Sequence, residues 1–170
     1  DYNMLSRAYR LAGKKELGLD TALKSLKIAT EKYNSKSSLI DVYILLSGVY
    51  SDMNDSDGRN KYVDLAYELA SEIYERSHDD YNTSIFAKAC SVKGKALQDE
   101  KKYQEAKEHY ELGLNLIKKL YQHDPYTSMN GLRFAYSDYA GILSNLYLYQ
   151  DAVENYRSAV ELSRKLCKIN

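Results

Sequence analysis

The chain has 170 residues, 44% hydrophobic and 28% charged, with 24 basic and 24 acidic side chains that balance to zero net charge. That length accommodates one domain or one short repeat array. The 11 basic and 14 acidic residues of the first half and the 13 and 10 of the second form no strong basic cluster, which argues against nucleic-acid binding.

No apolar run is long enough to span a bilayer, so no membrane segment is expected in this stretch. One proline and eight glycines leave little turn punctuation, and long helices joined by short loops follow. Eighteen tyrosines stand against two phenylalanines and no tryptophan. Tyrosine suits slots where a ring is buried while its hydroxyl reaches water or a partner.

In chain order, the first helix is predicted from Tyr2 to Gly13, with Met4, Leu5, Ala8 and Leu11 on one face and Gly13 as its stop. The second runs from about Glu16 to Asn34, carrying Ala22, Leu26, Ala29 and Tyr33. Asn34 to Ser38 is a polar break that supplies capping hydroxyls. Helix three covers about Leu39 to Asp52. The segment Asp52 to Asn60 resembles a calcium loop at a glance, but its sixth position is Asp57 instead of glycine and its twelfth is Val63 instead of glutamate. It is expected to be a solvated loop. Helix four follows from about Asn60 to Ser77, with Val63, Ala66, Tyr67, Ala70, Ile73 and Tyr74 inward. Helix five runs from about Tyr81 to Asp99, helix six from Tyr103 to Gln122, helix seven from Thr127 to Leu146 and helix eight to about Cys167. Asp124-Pro125 resets direction before helix seven.

Tyr103–Leu120 recurs 46 residues later as Tyr149–Leu166, with eight of eighteen positions identical. The shared aromatic and small residues fall at steps of three and four, the stripe of one helix face. Aligning Ala22, Ala66, Ala106 and Ala152 gives spacings of 44, 40 and 46. Four helix-turn-helix repeats result, at about 2–35, 38–77, 81–122 and 126–168.

These residues resemble the tetratricopeptide repeat family. Repeat three reads Cys90, Lys93, Gly94, Leu97, then Tyr103, Ala106, Tyr110, Gly113. Repeat four reads Tyr136, Tyr139, Ala140, Leu143, then Tyr149, Ala152, Tyr156, Ala159. Repeat two reads Tyr43, Leu46, Ser47, Tyr50, then Val63, Ala66, Ala70, Ile73. Repeat one is degenerate, with Met4, Ala8, Leu11, then Leu19, Ala22, Leu26, Ala29. Repeats of 40 to 46 residues look like the longer-helix variety of kinesin light chains and bacterial arrays. The resemblance implies an all-α, right-handed α-solenoid of about four antiparallel helix pairs, an α-α superhelix. It also implies a concave groove lined by the first (A) helix of each pair, where a protein or peptide would bind. Carried over position by position, that groove comprises Tyr9, then Asp41, Ile44 and Gly48, then Lys88, Ser91, Lys95 and Gln98, and finally Phe134, Ser137, Gly141 and Asn145. The lysine–asparagine clamp of chaperone adaptors is absent from the corresponding positions.

Catalytic chemistry finds little support. His78, His109 and His123 have no partner at ligand or triad spacing, and no glycine-rich phosphate loop occurs. His109 is read on an outer face and His123-Asp124 as a solvated turn. Neither an enzyme nor a cofactor is expected. Asn54-Asp-Ser56 and Asn82-Thr-Ser84 match the glycosylation pattern but read as loop and cap residues. Cys90 and Cys167 read as buried small hydrophobes in different repeats. That argues against a disulfide and for a reducing, cytoplasmic setting. Starting at Asp1 inside a helical pattern, the chain reads as part of a longer protein. Laying Leu166–Asn170 over Leu120–Asp124 stops short of an equivalent of Pro125, with no polar capping helix, so a further helix is expected. Three functions fit: a peptide-binding scaffold, a regulatory or sensor segment of a signalling protein, and a self-association module acting through the last helix.

Overall fold

The computed structural model describes residues 2–33 and 35–169, without the side chains of Lys32, Tyr33 and Ile169. The inward side chain expected of Tyr33, the break at Asn34 and the overlay ending at Asn170 lie outside the described residues. Helices α1 (Tyr2–Leu11), α2 (Lys15–Ile28), α3 (Lys36–Asp52), α4 (Ser56–Arg76), α5 (Asp80–Asp99), α6 (Tyr103–His123), α7 (Pro125–Asn145) and α8 (Tyr149–Ile169) account for nearly all of them. A π-helical turn, Ala29–Tyr33, extends α2. No strand occurs among the described residues, and no helix is long and apolar enough to cross a membrane. Two compact units divide the chain, residues 1–76 with α1–α4 and residues 77–170 with α5–α8. Within each, every helix packs on the next in sequence.

Two kinds of joint alternate along the chain. Where a helix pair ends and the next begins, a side chain closes the helix N-terminus. Ser35 caps α3, Asp79 accepts from the Asn82 backbone N–H at 2.8 Å to cap α5, and Asp124 accepts from Tyr126 and Thr127 at 3.0 and 3.2 Å to cap α7. Pro125 sits in the first turn of α7, where its missing N–H costs nothing. These bonds favour the ionised carboxylate, so Asp79 and Asp124 are held below the usual carboxylate range, by the Asn82 backbone and by Thr127 respectively.

Inside each pair the turn is closed by the backbone alone. Gly13, Asn54, Lys101 and Tyr147 all have positive φ, at 72°, 60°, 63° and 63°. Each donates to the carbonyl three residues back, and the following residue donates five back: Lys14 to Tyr9, Asp55 to Tyr50, Lys102 to Leu97 and Leu148 to Leu143. This is the Schellman closure of a helix C-terminus. In all four pairs the second helix starts two residues after the left-handed one.

Counting from these turns corrects the alignment of the first two repeats. Ala106 and Ala152 lie five residues after their turns, a position held by Gly18 and Arg59 in the first unit. Ala22 instead matches Val63, Tyr110 and Tyr156, while Ala66 matches Ser25, Gly113 and Ala159. On α1 the small packing residue is Ser6, fully buried, and not Ala8. Its hydroxyl donates to the Gly18 carbonyl at 2.7 Å.

The polar stretch Asp52–Asn60 is not a long loop, because α4 begins at Ser56. Asp55 accepts from the Gly58 N–H at 2.9 Å, and the Schellman turn ends α3 only four residues earlier. Gly58 is thus helical, and any side chain there would overlap the Tyr50 ring. Tyr50 in turn stacks on Tyr62, centroids 5.5 Å apart, and Tyr43 lies 5.9 Å from the same ring. Tyr62 therefore joins the first core, with Ala22, Val42, Leu45, Leu46 and Val49. The expected Tyr67, Ile73 and Tyr74 are only half-buried. In the second unit, Leu114, Met129, Leu132, Ala135 and Leu162 form one cluster and Leu97, Ala106, Tyr110 and Ile142 another. Each large aliphatic side chain buried this way contributes about 1.5–3 kcal/mol. Cys90 is buried, and burial pushes its thiol up to about 12, whereas Cys167 is exposed on α8 against expectation. Both thiols are free.

Lys101 occupies the left-handed position as an L-residue, at a cost of about 1–2 kcal/mol. Replacing Lys101 with glycine removes that cost while loosening the unfolded chain. The variant should gain about 0.5–1 kcal/mol in urea unfolding. A loss of stability would show that the turn geometry is wrong.

Candidate functional site

The A helices α3, α5 and α7 each bury one face and leave another open, and the turn count defines which residues share a row. Three, six, ten and thirteen residues before the left-handed turn lie Ser51, Gly48, Ile44 and Asp41 on α3. The same count gives Gln98, Lys95, Ser91 and Lys88 on α5, then Ser144, Gly141, Ser137 and Phe134 on α7. On α1 it gives Arg10, Arg7 and Asn3. Tyr9, the groove residue expected there, falls instead in the row of Tyr50, Leu97 and Leu143, which packs against the paired helix. The apolar residues of α1 by themselves point to Tyr9, whereas its turn sets the row. Counting back from Gly13 would have found Arg7 and Arg10.

In the second unit the structure brings α5 and α7 side by side. Gln98 Nε2 donates to Asn145 Oδ1 at 2.8 Å, and Tyr110 OH donates to Gln98 Oε1 at 3.0 Å. Both the oxygen and the nitrogen of the Gln98 amide are thereby fixed by partners on two other helices. Lys88 and Lys95 stay exposed on α5, and Lys95 Nζ pairs with Asp99 Oδ1 at 2.8 Å one turn along. An exposed pair of this kind contributes at most about 1 kcal/mol and exchanges easily for a partner's carboxylate. On α7, Phe134 is 52% exposed and the Arg133 guanidinium lies 3.8 Å from its ring centroid. The Ser137 hydroxyl donates to the Arg133 carbonyl, and the Tyr156 hydroxyl of α8 lies near Gly141. Ser91 is half-buried beside Gly113 of α6.

In the first unit Ile44 is half-buried and Asp41 exposed. Asp41 borders a cavity of about 520 Å³ lined also by Tyr2, Asn3, Ser25, Ile28 and Val42. Asn3 Oδ1 accepts from the Ser25 hydroxyl at its edge, 2.6 Å away. Gly48 lies under the Arg10 guanidinium, which occupies the space a Cβ would need.

Of the histidines, His109 departs from the outer-face expectation, while His123 is exposed beside Asp124 as expected. His109 is half-buried, and burial first, then Lys93, hold its imidazole below its ordinary value. His123 Nδ1 lies 3.0 Å from Asp80 Oδ1 at the exposed start of α5, while Asp124 is engaged as the α7 cap. The two neighbours are not an acid–base pair.

No family model matches the chain, and no curated protein matches it. Solved structures do. BtubC (BKLC) from P. vanneervenii superposes with a TM-score of 0.76 at 14% identity, over 97% of this chain and 63% of that one. The kinesin light chain nearly identical TPR-like repeats from P. anserina superpose with a TM-score of 0.55 at 14% identity, over 97% and 94%. The fold is that of the TPR-like helical repeats. This chain spans 63% of the length of the BtubC structure, and the TPR-like likeness concerns the fold. It is an all-α solenoid of helix pairs.

Burial, followed by the Asp138 and Asp99 carboxylates, holds the Tyr110 phenol well above its ordinary value of 10.0. Below pH 10 the phenol is neutral in folded and unfolded chains alike, and the fold keeps its full stability. Above pH 10 the unfolded chain ionises first and stability falls. Tyr110→Phe should cost about 1 kcal/mol at pH 7 through the lost bond to Gln98. It should also flatten the alkaline decline when urea unfolding is followed from pH 9 to 11.

Proposed function

We propose that this chain is a non-catalytic protein-interaction scaffold that holds a peptide or protein segment against the open rows of its A helices. The observation that carries this reading is the α5–α7 surface. Its helices spend their opposite faces on the core, while Lys88, Lys95, Ser137 and Phe134 remain on the outside around an amide pair, Gln98 and Asn145, already held in place. Groups fixed before binding lose little entropy on contact. The two lysines select acidic segments, and Phe134 adds an apolar anchor for a neighbouring side chain, a contact that buries area at about 25 cal/mol per Å².

A second reading, self-association, is favoured by α8. Tyr149, Val153, Tyr156 and Val160 form a stripe 44–59% exposed. The matching α6 residues include Tyr103, Tyr110 and Leu114; Tyr110 and Leu114 are buried, and α6 packs on α7. The α8 stripe has the chemistry to take another A-type helix. Sedimentation velocity across a hundredfold concentration range should show association that Tyr156→Glu with Val160→Glu abolishes; a concentration-independent monomer rejects this second reading.

For the first reading, Lys88→Glu with Lys95→Glu should weaken an acidic peptide severalfold, following about 0.2–1 kcal/mol for each exposed pair, with circular dichroism unchanged. Equal binding by the variant would remove the α5–α7 surface from the proposal.

A further inference from the structure

The second charged surface lies on the first unit, at residues that the turn count assigns to the same rows as Lys95 and Gln98. Helices α1, α2 and α3 border a cavity of about 520 Å³ lined by Arg7, Arg10, Leu11, Lys15 and Asp52. Three cations face one carboxylate. That carboxylate is engaged, since Asp52 Oδ2 accepts from Arg10 Nε at 2.6 Å. Arg7 and Lys15 are exposed and make no ion pair among the described residues.

Two features give the cavity a defined shape. Gly48 has no side chain, which lets the Arg10 guanidinium settle on α3, and Asp52, one turn further on, holds it there. Arginine presents a rigid planar fork, so an arginine pinned by one carboxylate keeps its remaining donors in a fixed direction. Leu11 is 91% exposed at the rim. The lining therefore combines excess positive charge with an apolar wall.

We propose that this cavity receives a carboxylate side chain of a partner peptide, with an adjoining apolar side chain laid on Leu11. The inference rests on the reading that a peptide lies along the A helices, and it adds a position and a chemistry to it. The Asp52–Arg10 pair shows the cavity accepting a carboxylate from the chain itself. A small free anion would satisfy Arg7 and Lys15 but leave the Leu11 wall in water, whereas an acidic-apolar peptide fills both.

The test uses the whole chain and a fluorescein-labelled peptide of alternating glutamate and leucine, with a lysine–leucine peptide as control, read by anisotropy. Arg7→Glu with Lys15→Glu should weaken the acidic peptide about tenfold, and Leu11→Ser severalfold. The milder Arg7→Gln with Lys15→Gln should still weaken it severalfold, with circular dichroism unchanged in each. Binding that is insensitive to all of these but lost in Lys88→Glu with Lys95→Glu overturns the cavity and leaves the α5–α7 surface standing. Indifference to both sets overturns both. If inorganic phosphate displaces the peptide while Leu11→Ser has no effect, the cavity is a free-anion site and the peptide assignment falls.

Discussion

Each helix pair depends on one left-handed residue. A helix ends with carbonyl groups that its own backbone cannot satisfy. In all four pairs the chain answers by turning through a positive φ at Gly13, Asn54, Lys101 or Tyr147 and folding two N–H groups back onto those carbonyls. The turn leaves no room for a longer connection, so the second helix starts at a fixed offset, and in the first, third and fourth pairs a small residue five places after the turn meets the first helix at a fixed height. Packing then follows from the turn. Ser6 over Gly18 in the first pair occupies the rows that Gly94 and Ala106 occupy in the third and Ala140 and Ala152 in the fourth.

That offset divides labour on every A helix. Residues four and seven places before the turn pack inward and are tyrosine, leucine or small. Residues three, six, ten and thirteen places before it are left open and vary freely: Arg10 and Arg7, Ser51 and Gly48, Gln98 and Lys95, Ser144 and Gly141. A scaffold can therefore change its outer surface without touching the core. The tyrosines join the two zones. The Tyr110 ring is buried and its hydroxyl reaches Gln98, so the position of an open-row amide is set from the core outward. The same logic places Arg10 over Gly48, where absence of a side chain on one helix admits a charged group from another.

Much of this was legible in the residues. Helix-period stripes, the Tyr103–Leu120 copy, the capping hydroxyls of the Asn34–Ser38 break and Asp124-Pro125 identified the helices and two of the joints between pairs, because capping side chains and proline leave a signature in residue type. The turns within pairs left almost none. Glycine marks only the first; asparagine, lysine and tyrosine hold the others, held there by backbone bonds that any sequence can make. Equating Ala22 and Ala66 with Ala106 and Ala152 consequently slides the first two repeats, and matching α1 by its apolar residues misses Arg7 and Arg10 and puts Tyr9 on the wrong row. The stretch Asp52–Asn60 resembles a loop in sequence for the same reason: its polarity suits solvent, and a helix start at Ser56 presents the same polarity.

What the sequence determined by itself was the class of fold, since an apolar stripe of helical period admits only helices packed on helices. Which side chains stand open was decided by tertiary structure. Periodicity fixes a face to within a turn of helix, but a row is a single residue wide, and only the closed turn sets that row. Tyr62 entering the core, Cys167 standing exposed, His109 half-buried and Arg10 lying on Gly48 all depend on how one helix is rotated against its neighbour, a choice made by packing and not written in any one segment.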